Sequence, residues 1–303
     1  MNRIRFGDIT LLIMIGVFWG LNWPAVKFIL GEIPPWSLRA IGLSSGAILL
    51  TGLAVVLRQS LRPKRAEGWP LLVAGLLSVL GFNVFTAFGQ LHTQTSTATI
   101  IAFTMPVWAT VFSMLFLHER LTPLRLASLV VGISGLALLV SEDTSGFVDK
   151  PLGPIFMMAA AVSWAAGTVV LKSRVWSIKP VPQAAWMLGV SAPFAIIAGL
   201  VTEYNGQVVM PSGAVIATMS YHILFPMVIC YAAWSILVGR LPASVASMGT
   251  LLVPVVAVAS AAIFLGDVLS WQKIGALVLV LLSITLTFAR PKATQASEEQ
   301  APD

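Results

Sequence analysis

The chain has 303 residues, 57% of them hydrophobic and only 10% charged, with a mean hydropathy of +0.91. A soluble domain carries about 25% charged side chains, so there is too little polar material here to coat a water-facing surface, and most of this protein is solvated by lipid. The formal net charge of +6 does not point to nucleic acid, because the basic residues fall in short loops between apolar spans and form no domain of their own.

Residues 8–30 are apolar and preceded by Arg3 and Arg5. No small-x-small cleavage site closes them, so they read as a retained first helix rather than a secretory signal. Further spans are predicted near 36–57, 69–91, 95–117, 123–141, 152–172, 181–201, 213–237, 243–265 and 270–289. Each has about the twenty residues that cross a bilayer core, which makes ten helices. The tail 291–303 is polar and reads as disordered. With a cytoplasmic N-terminus, fourteen basic residues fall in the inside segments and only Arg39, Lys150 and Lys273 outside. That is a positive-inside pattern, and it places both termini in the cytoplasm. The single cysteine, Cys230, lies within a span; it excludes an internal disulfide and a thiolate metal cluster, and reads as a small core residue.

The sequence repeats itself. Thr95, Thr99, Ala102, Pro106, Ala109 and Ser113 form a small-residue stripe, and 148 positions on lie Ala243, Ser247, Thr250, Pro254, Ala257 and Ala261. The same offset carries Glu119 onto Asp267 and Thr122 onto Ser270, while Trp19 and Lys27 match Trp164 and Lys172 at an offset of 145. Units 1–143 and 151–290 then hold five helices each. Five is odd, so the second unit enters the membrane from the opposite side. The predicted fold is an all-α integral membrane protein of ten transmembrane helices, arranged as two inverted five-helix repeats.

A resemblance follows from particular residues: Trp19-Gly20, Pro106 with Leu117-His118-Glu119-Arg120-Leu121, Leu252-Val253-Pro254 with Phe264-Leu265-Gly266-Asp267, and Gly275-Ala276. Across residues 8–290 the chain resembles the EamA branch of the drug/metabolite transporter superfamily. That resemblance implies a ten-helix inner-membrane carrier for small metabolites, amino acids or drugs, often an exporter. Asp267 stands where the family usually has glutamate, which keeps the charge.

Such a carrier binds at mid-membrane between its halves, where polar side chains are costly unless they are paired or face water. The candidate substrate-binding residues are Trp19, Asn22, Trp23, Asn83, Thr86, Thr99, Trp164, Tyr231, Trp234 and Ser247. Asn22 precedes Pro24, which crowds the carbonyl of Gly20 and favours a bend. Asn83 falls on Tyr231, and Thr86 on Trp234, at the 148-residue offset. The tryptophans read either as substrate contacts or as packing, and Thr99 and Ser247 either as hydroxyls in a cavity or as close-packing residues. Lys27 either snorkels to the headgroups or meets an anionic substrate at an outer gate, with Lys172 as its counterpart. His222 either couples a proton or is a structural donor. Pro106 and Pro254 read as hinges or fixed kinks. Glu119 and Asp267 read as structural: each ends a span just before Thr122 or Ser270 caps the next helix, whose free N–H groups favour a carboxylate.

His92, His118 and His222 lack metal-site spacing, and no glycine loop with Lys-Ser/Thr is present, so no metal, cofactor, ATP drive or enzymatic activity is expected. The expected partners are a small-molecule substrate and the bilayer, not nucleic acid. Proton coupling, uniport and homodimer formation stay open. The leading reading is a secondary-active or facilitative exporter working by alternating access. The alternatives are a lipid-flipping or structural membrane protein and, third, an intramembrane enzyme.

Overall fold

The computed structural model describes residues 6–118, 123–142, 150–207, 209–238 and 252–288. Among these residues every regular element is helical. In chain order they are α1 (Phe6–Ile29), α2 (Pro35–Val56), α3 (Arg65–Ala74), the π-helical segment π1 (Gly75–Gly81), α4 (Phe82–His92), α5 (Thr95–Ala102), α6 (Met105–Leu117) and α7 (Pro123–Val140). After these come α8 (Leu152–Lys172), α9 (Pro180–Thr202), α10 (Gly213–His222), the second π-helical segment π2 (Ile223–Cys230), α11 (Tyr231–Val238), α12 (Leu252–Leu265) and α13 (Trp271–Phe288).

Seven continuous runs are long and apolar enough to cross a bilayer: Ile9–Ile29, Pro35–Val56, Arg65–His92, Thr95–Leu117, Leu152–Lys172, Pro180–Thr202 and Gly213–Trp234. Leu126–Val140, Leu252–Leu265 and Trp271–Leu286 are shorter apolar helices. The chain is therefore a multi-pass membrane protein. Its outer surface agrees: Ile48, Val56, Ile197, Val201 and Ile263 are all exposed, as lipid-facing side chains are.

The helix boundaries have local causes. Pro35 and Pro180 occupy first-turn positions, where a missing N–H costs nothing. Ser212 caps α10 by accepting from the Val215 amide, and Ser270 caps α13 by accepting from the Lys273 amide. α1 runs without interruption through Pro24. The predicted span 95–117 is instead interrupted at Phe103 and Thr104, just before Pro106 at the start of α6. Only the last part of the predicted span 243–265 lies within the described residues, and the tail lies outside them.

Packing is reciprocal. α2 lies along α9, and α7 along α13; α1 packs on α12, while α6 packs on α8. With the sequence offsets applied, the first two contacts join a helix to its own counterpart, and the last two are counterparts of each other. The contact between π1 and α8 is close. A Cβ added at Gly167 would stand 2.7 Å from the Ser78 amide nitrogen, so only a glycine fits there. Gly167→Val should therefore lower stability by about 1–3 kcal/mol through overpacking. Gly52→Val, at a position with nothing within 4 Å, should change it by less than about 0.5 kcal/mol. Melting of the purified protein followed by tryptophan emission compares the two.

Candidate functional site

The site begins with the two π-helical turns. π1 starts at Gly75 and π2 at Ile223, 148 positions apart. In π2 the cause is Pro226, which has no N–H for the carbonyl four residues back and whose ring crowds that carbonyl, widening the turn. In π1 hydroxyl and amide groups take up the loosened carbonyls. Ser78 donates to Ala74 at 2.8 Å, Ser163 to Leu77 at 2.7 Å, Ser191 to Gly75 at 3.0 Å and Asn83 Nδ2 to Val79 at 2.8 Å. Trp19 Nε1 does the same for Pro226 in π2, at 3.1 Å. Thus α1 braces the π turn of the second half, and α8 braces that of the first.

A buried polar cluster lies beside these turns. His222 Nδ1 meets Asn22 Oδ1 at 2.7 Å; that oxygen only accepts, so Nδ1 carries the proton. Asn83 also shares a hydrogen bond with the Tyr231 hydroxyl. Thr86 donates to the Asn83 carbonyl at 3.0 Å and accepts from Arg39 Nη2 at 3.3 Å. Arg39 is within electrostatic reach of both Tyr231 and His222. Tyr231 in turn joins an aromatic group, with its ring 5.7 Å from Trp19, which lies 6.2 Å from Trp234. Polar groups from α1, α2, α4, α10 and α11 so converge next to a set of rings.

The structure brings together Trp19, Asn22, Asn83, Thr86, Tyr231 and Trp234. It gives others different hydrogen-bond or ring partners. Trp23 packs in an apolar core against Phe103, and Trp164 stands edge-on to Phe82 at 4.8 Å. Thr99 is fully buried and turns its hydroxyl to the Thr95 carbonyl of its own helix at 2.7 Å. Ser247 and Glu119 lie outside the described residues. Lys27 donates to the carbonyls of Gln90 and Thr93, which end α4, rather than reaching for headgroups. Lys172 is exposed at the end of α8, and Pro254 is buried in the first turn of α12.

Asp267 was expected beside the N-terminus of the helix that follows it. Its carboxylate instead accepts from the Ser96 amide at 2.7 Å, in the first turn of α5. The cause is Gly266, whose φ of 71° turns the chain back across the bundle. Arg39 was counted as an outer-loop cation, yet it is 3% exposed within the cluster. The signal that would have found it was the rule that an ionisable side chain inside a span is functional until shown otherwise; the predicted span 36–57 already holds Arg39, in the second turn of α2.

Both ends of the bundle carry matched ties. Glu32, between α1 and α2, accepts from the Ser212 amide at 2.6 Å and its hydroxyl at 2.7 Å. At the opposite end Glu67 accepts from the Ser177 amide at 2.5 Å and its hydroxyl at 2.8 Å. At the 145-residue offset Glu32 falls on Ser177, so the acid and the hydroxyl have exchanged places.

Residues 6–141 and 151–289 both match the EamA-like transporter family. The chain belongs to that family. It is a membrane transporter, and its EamA relatives match nearly end to end. It is 28% identical over 288 residues to an uncharacterized transporter, YvbV, of Bacillus subtilis, covering 95% of this chain and 93% of that one. It is 26% identical over 290 residues to a probable amino-acid metabolite efflux pump of Salmonella typhimurium, covering 91% and 93%. One crystal structure shares the fold at a TM-score of 0.64 and 20% identity, over 98% of this EamA chain and 100% of that one.

The Glu32 tie has a pH signature. Hydrogen bonds from the Ser212 amide, then from its hydroxyl, hold the Glu32 carboxyl below its ordinary value of about 4.5. A lowered folded-state value means the tie's contribution is full above the unfolded value and is lost as pH falls through the folded one. The stability difference between wild type and Glu32→Gln should therefore be constant above about pH 5.5 and shrink towards zero below pH 4.5. Paired melting curves across that range check it.

Proposed function

We propose that this EamA transporter is a secondary-active or facilitative carrier that exports a small amphipathic metabolite, an amino acid or a close relative, by alternating access. The observation that carries this reading is the cluster of Asn22, Thr86, Asn83, His222 and Tyr231. It draws on helices from both halves, sits beside two matched π turns, and adjoins the Trp19–Tyr231–Trp234 rings. Polar groups held at that depth are retained for transport pathways, and π turns are local weak points where a helix can reshape. A lipid-flipping protein would present its polar groups to acyl chains; Asn83, Thr86 and His222 are instead 5%, 4% and 0% exposed.

In this reading residues 1–143 and 151–290 are two inverted five-helix units, ten spans in all, in the inner membrane with both termini cytoplasmic. The reciprocal packing of α1 on α12 and α6 on α8 supports the inversion. Pro106, at the interruption between α5 and α6, and Pro254 serve as hinges alongside the π turns. Lys27 ties α1 to the end of α4 at the outer gate, Lys172 marks the inner end of α8, and Asp267 and Glu119 fasten helix ends. The amino-acid efflux assignment of the Salmonella relative and the combined polar and aromatic lining both support the substrate class.

Uptake into proteoliposomes, screened over amino acids and related metabolites with and without a pH gradient, tests the reading. Asn83→Ala and Tyr231→Ala should each slow transport about tenfold or more, the loss of one buried hydrogen bond of roughly 1–3 kcal/mol, with normal membrane insertion. Unchanged rates in both variants would remove the cluster from the pathway.

A further inference from the structure

Arg39 is a buried cation with no counter-charge among the described residues. Among them its guanidinium makes one bond, 3.3 Å long, to the neutral Thr86 hydroxyl, and its Nε has no partner. The carboxylates whose side chains are described are engaged elsewhere: Glu32 on Ser212, Glu67 on Ser177, Glu203 on the Trp36 and Ser37 amides, Asp267 on Ser96 and Glu142 near Lys273. Across the cluster His222 Nε2 is likewise buried without a partner, against Gly42 of α2, where an added Cβ would stand 3.1 Å away. A charge sealed from water and lacking an internal partner is a strong liability in a membrane protein, and it persists where something else supplies the opposite charge.

We infer that Arg39 is the anchor for the carboxylate of the transported molecule, a small organic acid with an apolar body, amino acids included. This rests on the carrier reading above and gives its substrate a required chemical group. The guanidinium fork, with Nε and an Nη on one edge, matches a carboxylate in paired charge-assisted hydrogen bonds. One cation suits one carboxylate better than a phosphate dianion, since Lys27 is occupied by the carbonyls of Gln90 and Thr93. Tyr231 is within electrostatic reach of Arg39 and its ring adjoins that of Trp19, which adjoins Trp234, so an acid anchored on Arg39 has rings at hand for its apolar part. Arg39 is 3% exposed in this arrangement, so ligand reaches it when the halves part.

The test compares acids with amides of the same shape on the purified full chain: 3-phenylpropionate against 3-phenylpropionamide, hexanoate against hexanamide, and L-phenylalanine against its amide. Thermal unfolding and tryptophan emission give half-saturation values. Wild type should bind at least one acid about tenfold or more tighter than its amide, and Arg39→Gln should erase that preference. Unliganded Arg39→Gln should melt at or above the wild-type temperature, because an uncompensated charge has been removed; a merely structural arginine would lower it. If Arg39→Gln is not recovered folded, Arg39→Lys decides: a tenfold loss for the acid alone supports the assignment, and equal losses for acid and amide overturn it. It is also overturned if no acid binds wild type, if acid and amide bind alike, if Arg39→Gln keeps the preference, or if chloride or phosphate at equal ionic strength protects as well as the acid. Uptake separates this from the carrier reading. Transport of neutral compounds alone leaves the carrier intact and removes Arg39; Arg39-dependent binding without any transport does the reverse.

Discussion

Inside a bilayer no water is available to satisfy a backbone carbonyl, and that single constraint shapes this molecule more than any side-chain preference. A regular helix meets it at no cost. A helix that must change its pitch does not, and here two of them do, at Gly75–Gly81 and Ile223–Cys230. The freed carbonyls are met by Ser78 of the turn itself, by Asn83 just beyond it, and by Ser163, Trp19 and, in a bond shared with the Met187 carbonyl, Ser191 from neighbouring helices. The irregular turns are therefore also the places where the two halves are stitched together. The polar cluster grows from the same need: Asn83 serves a π-turn carbonyl with one hydrogen and Tyr231 through the rest of its side chain.

Much of the architecture was legible in the sequence because lipid makes hydropathy decisive. Span positions came from apolar length alone, and the repeat matched Asn83 to Tyr231 as counterparts in sequence, whereas the hydrogen bond between them is a feature of the fold. The π turns themselves were not legible. Pro226 is a visible cause for one, but Gly75–Gly81 has no proline, and its pitch depends on Ser163 and Ser191 arriving from helices distant in sequence. Trp23 and Thr99 show the complementary limit. Helical spacing puts Trp19, Trp23 and Lys27 on one face, yet only the neighbours decide that Trp19 meets Tyr231 while Trp23 meets Phe103.

Arg39 and Asp267 were misplaced for related reasons. Both lie near span ends, where a shift of one turn moves a charge from solvent to interior. Arg39 already lies inside the predicted span, and its burial follows from its neighbours in the cluster; for Asp267 the left-handed Gly266 goes with a carboxylate directed at α5. Short-range signals of this kind are present in the chain, but their effect is known only when the element they join has a neighbour to turn toward.

The exchanged Glu32–Ser212 and Glu67–Ser177 ties carry one more implication. Each end of the bundle carries one such carboxylate–serine tie, and the end bearing Glu32 adds a second, Glu203 on the amide and hydroxyl of Ser37. For a carrier, unequal fastenings at the two ends bias which opening is the more uphill. Such a bias changes how fast the carrier cycles, while the direction of net flux is set by the concentrations on either side and by any coupled gradient.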